Sequence, residues 1–119
     1  MEQKNFAKSE ATCVISEEVI ATIACTAALD VPGVAAMAQR PDIRGIMPGS
    51  AHLKSVKVSG NDSTMVLDVY LTICENFRIP DVAGQVQQEI KNAIQSMTGK
   101  PVTRINIHVA GLKIEEESK

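Results

Sequence analysis

The chain has no tryptophan, and its aromatic side chains are Phe6, Tyr70 and Phe77, 3% of 119 residues. So few rings leave little material for a base-stacking platform or a sugar-binding shelf. The core must come from Val, Ile, Leu, Met and Ala, and a hydrophobic fraction of 45% suits one folded domain rather than a disordered segment. A basic excess is also missing: net charge is −2 and the pI about 5.6. A general nucleic-acid binder carries positive charge to meet phosphates. The mild basic bias of Arg40, Asp42, Arg44, Lys54 and Lys57 reads as a solvated loop.

Cysteine is scarce and unpaired in pattern. Cys13, Cys25 and Cys74 make an odd count with no C-x-x-C spacing, which fits neither a disulfide framework nor a zinc site. All three lie in apolar periodic segments and read as reduced core thiols in a cytoplasmic protein. Met1 to Glu10 is polar and charged, so no signal peptide is expected there. Val19 to Ala38 carries a single charge, Asp30, but Pro32-Gly33 interrupts it. Asp30 near its middle would cost about 3 kcal/mol in a bilayer, which favours a core helix and a turn over a membrane span.

What is present is a clear periodic pattern. Residues 1–10 read as a flexible N-terminus and Ala11 to Ile15 as a short strand. Ser16 is a good N-cap, Glu17 and Glu18 suit the first helical turn, and Ile15 with Ile20 forms a hydrophobic staple. Val19, Ile20, Ile23, Ala24, Ala27 and Ala28 then define one helix face. Asp30 to Gly33 ends that helix, and Val34 to Ala38 is expected to add one more turn.

Gln39 to Ala51, with two prolines and two glycines, is the expected long loop. Val56 and Val58 alternate with polar residues as a half-exposed strand, and Gly60-Asn61-Asp62-Ser63 is turn chemistry. Thr64 to Cys74 is the strongest strand, with Met65, Leu67, Val69, Leu71 and Ile73 on one face. Pro80 opens a second helix whose apolar stripe is Val82, Val86, Ile90, Ala93, Ile94 and Met97, and Gly99 suits its C-terminal stop. Val102 to Val109 is a last strand.

The expected order is β-α-β-β-α-β. It predicts an α+β two-layer sandwich over residues 11–112, with a mainly antiparallel sheet and two helices on one face. A ferredoxin-like topology is the first expectation and a KH-like one the alternative. Residues 113–119 read as a charged, flexible tail.

The usual chemical signatures do not assemble. Neither His52 nor His108 stands at a spacing that pairs it with a cysteine, and two distant histidines make a poor metal site. Gly33, Gly45 and Gly49 lack the Gly-Lys-Ser/Thr of a phosphate loop. Gly45-Ile46-Met47-Pro48-Gly49 is one residue too long for a KH clamp. No catalytic residue, cofactor site or metal site is expected, and the reading is non-enzymatic.

Two blocks carry a resemblance. One is Ile15-Ser16-Glu17-Glu18-Val19-Ile20-Ala21-Thr22-Ile23-Ala24 with Val31-Pro32-Gly33-Val34; the other is RIPDVAGQVQQEIKNAIQSMTGKPVTRINIHVAGL from Arg78 to Leu112. In this order, around a variable loop, they resemble the core of the short single-domain members of the alkaline shock protein twenty-three family. The resemblance implies a cytoplasmic stress-response protein of Gram-positive-type bacteria, engaged in cell-envelope homeostasis. It implies self-association, or peripheral placement at the membrane through a partner that carries the span. It supplies no catalytic residues.

The expected action is therefore that of an interaction module. The candidate partner-binding surface is the outer sheet face, with Val66, Asp68, Tyr70 and Thr72 on the long strand and Arg104, Asn106 and His108 on the last. The alternative from a different class is a small RNA-binding protein of KH-like topology.

Overall fold

The computed structural model describes residues 15–41, 51–61 and 64–114. Helix α1 spans Glu17–Leu29, strand β1 Val34–Met37, a 3-10 turn Ala51–Lys54, β2 Val56–Asn61, β3 Thr64–Cys74, α2 Ile79–Thr98 and β4 Arg104–Lys113. The architecture is α+β in two layers, with the helices on one face of the sheet. Two of the three strand pairings are antiparallel, and β3 with β4 is parallel, joined through the α2 crossover.

Local chemistry places the helices as expected. The Ser16 side chain accepts from the Val19 N–H at 3.2 Å and so satisfies one orphan donor of α1. Ile15 packs against the core cluster to which Ile20 belongs. Helix α1 is buried more widely than one stripe, because Ala21 and Cys25 join Ile20, Ile23, Ala24, Ala27 and Ala28. Short alanines let it lie close to both the sheet and α2. Val19 is the exception and is exposed. In α2 the stripe of Val82, Val86, Ile90 and Ile94 is buried, Ala93 is half-buried, and Met97 points to solvent. Gly99 ends the helix at φ 76°.

Leu67, Val69, Leu71 and Ile73 of β3 are fully buried beneath the helices. The register shows how the sheet is built. Val66 to Val69 pair with both β2 and β4, and Leu71 and Ile73 with both β1 and β4. Strands β1 and β2 therefore share one edge of β3, end to end. Tyr70 marks their junction: its N–H donates to Ser55 O and its carbonyl accepts from Ala38 N, both at 2.9 Å. The intervening chain leaves and re-enters at a neck closed by Arg40 N donating to Lys54 O at 2.7 Å.

One sequence expectation is corrected. Val34 to Met37 is a strand, not a further helical turn. Gly33 at φ 102° turns the chain out of the helix, and its carbonyl accepts from Cys74 N at 2.8 Å. That bond delivers Val34 to its place opposite Ile73, where pairing overrides the helical preference of Ala35 and Ala36. The described elements thus run α-β-β-β-α-β. The expected opening strand at 11–15 lies outside the described residues, save Ile15. So does the expected long loop, save 39–41 and Ala51. Lys113, expected in the tail, closes β4 and accepts at its carbonyl from Glu75 N.

Candidate functional site

Alternation along β3 sends every second side chain away from the helices. Val66, Asp68, Tyr70, Thr72 and Cys74 stand half-buried on this outer face. The parallel register sets Asp68 beside Asn106 and Tyr70 beside His108. Four of the seven expected partner-face residues are thereby brought into direct contact. The Asp68 carboxylate accepts at Oδ1 from Asn106 Nδ2 and from His108 Nε2, both at 3.0 Å. The His108 ring lies flat on Tyr70, with centroids 4.3 Å apart and planes 9° from parallel. The stack and the hydrogen bond fix the imidazole from two sides.

The other three, Val66, Arg104 and Thr72, flank the cluster. Arg104 is opposite Val66, one row further along. Thr72 is opposite Gly111, because a bulge between Val109 and Gly111 shifts the register. One contributor escaped the sequence reading. The hairpin places Lys57 of β2 opposite Asp68, so it borders the carboxylate from the other strand. Lys57, grouped with the basic residues of a solvated loop in the sequence, stands in β2 instead, and only the pairing names its neighbour.

The carboxylate is held below its ordinary value. Burial alone would push it up, but the hydrogen bonds from His108 and Asn106 and the positive charge of His108 and Lys57 outweigh that. With 22% of its side chain accessible, Asp68 is shielded while the His108 side chain keeps 43%. The arrangement is a polar row of mutually bonded side chains beside a stacked aromatic pair.

Elsewhere the thiol and imidazole groups do not combine. Cys25 Sγ is 3.9 Å from the His52 carbonyl oxygen, while the His52 ring Nδ1 lies 3.3 Å from Thr22 Oγ1. Burial pushes the Cys25 thiol up to about 11, away from a nucleophile's range. Among the described residues no group of three His, Cys, Asp or Glu could hold a metal, and no helix is long and apolar enough to cross a membrane. An open cleft of about 480 Å³ lies between the start of α1 and the β2–β3 hairpin, floored by Ile20, Val58 and Met65.

The family described as Asp-twenty-three, cell envelope-related function, matches residues 5–114. The chain is similar to YqhY of Bacillus subtilis, 34% identical over 108 residues, which are 88% of this chain and 79% of that protein. It is also similar to YloU of the same organism, 30% identical over 104 residues, 84% of this chain and 87% of that protein. Among solved structures, a variant of MamM CTD aligns with a TM-score of 0.58 at 12% identity, covering 88% of this chain and 93% of that one. MamM CTD in a copper form aligns with a TM-score of 0.51 at 12% identity, covering 87% and 93%. At such identity the likeness concerns the fold, which in these neighbours is ferredoxin-like.

Proposed function

The chain belongs to the Asp-twenty-three family, whose function is cell envelope-related, and on that premise we propose that it is a non-enzymatic interaction module of the envelope stress response. It acts from the cytoplasm, by self-association and by binding a protein partner anchored in the membrane. The outer sheet face is the docking surface.

One observation carries this reading. Asp68, Asn106, His108 and Tyr70 are locked together on the sheet face that the helices leave uncovered. A solvated face needs no such order, because water satisfies a carboxylate and an imidazole equally well. Fixed polar groups around a flat aromatic pair reduce the ordering that a partner must impose on binding. Lys57 and Arg104 beside the cluster give the face positive charge around one neutralised carboxylate.

The test is capture from solubilised membranes of the source cells, with tagged wild type and the Tyr70→Ala/His108→Ala variant compared in parallel. The proposal expects a defined membrane-protein partner that the variant loses while its circular dichroism is retained. Equal capture by both proteins would remove the face assignment. Salt-sensitive retention of RNA, with no protein partner, would replace the reading with the nucleic-acid one.

A further inference from the structure

Strand β4 has one edge against β3, and among the described residues no strand lies along the other. The alternation of backbone groups identifies what that far edge displays. Tyr70 uses both its N–H and its carbonyl on the β1–β2 side. Its neighbours Val69 and Leu71 therefore turn their backbone toward β4. In the parallel ladder Arg104, Asn106 and His108 answer them, and Ile105, Ile107 and Val109 present their backbone groups outward. The Ile105 carbonyl agrees with this, since it is reached from outside the sheet by Gln87 Nε2 at 2.9 Å.

The same three residues carry a second sign of an unfinished edge. Their side chains lie on the helix side of the sheet and pack against the core, yet all three stay partly accessible. A groove of about 390 Å³ between α2 and the start of β4 opens on the Ile105 end of this flank, with Gln87, Gln88 and Lys91 on its helix wall. Neither proline nor lysine, two residues that commonly blunt an edge, occurs within 105–109, and Gln87 engages the edge only at the Ile105 carbonyl.

We infer that this edge pairs with the same edge of a second copy of the chain, antiparallel about a two-fold axis at Ile107. Pattern selects the occupant and the register. Opposed residues in a sheet share a face, so only registers that match odd with odd keep the apolar row continuous. Centring on Ile107 sets Ile105 against the partner copy's Val109 and Ile107 against itself. The outward N–H and carbonyl groups of 105, 107 and 109 then all face a complement. On the outer face Asn106 meets His108 and Arg104 meets Ala110, so no like charges are opposed. Centring one residue pair earlier, on Asn106, would set Arg104 against His108. Centring on His108 would set Ile105 against Gly111, beyond the bulge, where the parity changes. The Ile107-centred register is thus the one of the three that stays before the bulge and does not set Arg104 against His108. The paired sheets would join the two Asp68 clusters into one surface, which deepens the docking proposal above and rests on it.

The test combines mass measurement with cross-linking. Sedimentation velocity of the full chain over a concentration series should give a reversible dimer. Ile107→Cys places two thiols across the axis, where opposed Cα atoms lie about 5.5 Å apart, within disulfide reach. Under mild oxidation most of that variant should form a covalent dimer, with peptide mapping locating the bridge at position 107. Ser59→Cys, on the far strand, should stay at the level of the parent chain. Ile107→Pro removes an outward donor without touching the β3 ladder, so it should abolish the dimer while circular dichroism is retained. A strict monomer at all concentrations overturns the inference, as does a dimer that survives Ile107→Pro and gives no bridge at 107. A monomer that still captures its membrane partner through Tyr70 and His108 would sink this inference and leave the docking proposal standing. A bridged dimer with no partner would do the reverse.

Discussion

Gly33 lies so close to the ring of Phe77 that a Cβ at position 33 would stand 2.9 Å from Phe77 Cδ2 and 2.7 Å from Val82 Cγ2. The Val31-Pro32-Gly33-Val34 segment thus joins three elements at one point: the end of α1, the entry to α2, and the end of β3 through the Cys74 hydrogen bond. Gly33→Ala adds a left-handed backbone penalty to an overpacked contact, and should destabilise by about 2–4 kcal/mol. Adding Phe77→Ala removes part of the clash but none of the backbone penalty. The two substitutions should therefore be less than additive in a urea-unfolding cycle. Strict additivity would mean that the ring does not limit position 33.

How much of this was legible follows from which forces are local. Ser16, Pro80 and Gly99 act within one turn of chain, so the helix boundaries followed from residue types. The long β3 strand was equally plain, because its period of two persists over its whole length. The strand at Val34 was not, since Ala35 and Ala36 favour helix and only Ile73 and Cys74, some forty residues on, hold it extended. The outer-face residues were readable as a face, but their partners were not. That Asp68 touches Asn106 and His108 depends on a parallel register, and that Thr72 stands apart depends on a bulge. Neither leaves a signature in composition or spacing.

The Asp68 cluster should show in acid. The native carboxyl titrates below the ordinary value of 3.8, so the native state takes up its proton later than the unfolded chain. Its contribution is present above that value and is lost as the pH falls through the native one. Asp68→Asn should cost less than about 1 kcal/mol at neutral pH, in line with a partly exposed pair. The gap between wild type and variant should close in denaturation curves taken on either side of 3.8. A gap that stays constant through the acid range would mean that the carboxylate is not stabilised by its neighbours.

Cys25 and Cys74 should differ in reactivity. Cys25 is buried and its thiol is pushed up to about 11, so at neutral pH it is neither ionised nor reachable. Cys74, half-buried on the outer face, has access that Cys25 lacks. Brief alkylation followed by peptide mapping should label Cys74 well before Cys25, and denaturant should bring Cys25 up to the same level. Rapid labelling of native Cys25 would place α1 in a looser packing than its alanine contacts indicate.

The α2 stripe offers a paired test of where the core ends. Ile90 is fully buried in the core cluster, whereas Met97, on the same apolar period two turns later, is 71% exposed. The period alone ranks them equally; burial separates them. Ile90→Ala should therefore cost about 2–5 kcal/mol through lost transfer energy and a residual cavity. Met97→Ala should stay within about 0.5 kcal/mol, since alanine is the better helix former and little packing is lost. Thermal and urea unfolding of the two variants decides between these expectations. A large loss at Met97 in dilute solution, absent from the buried set of this chain, would mean that its side chain is covered by something outside the described residues, such as a second copy. A small loss at Ile90 would mean that the two layers part more easily than their packing implies.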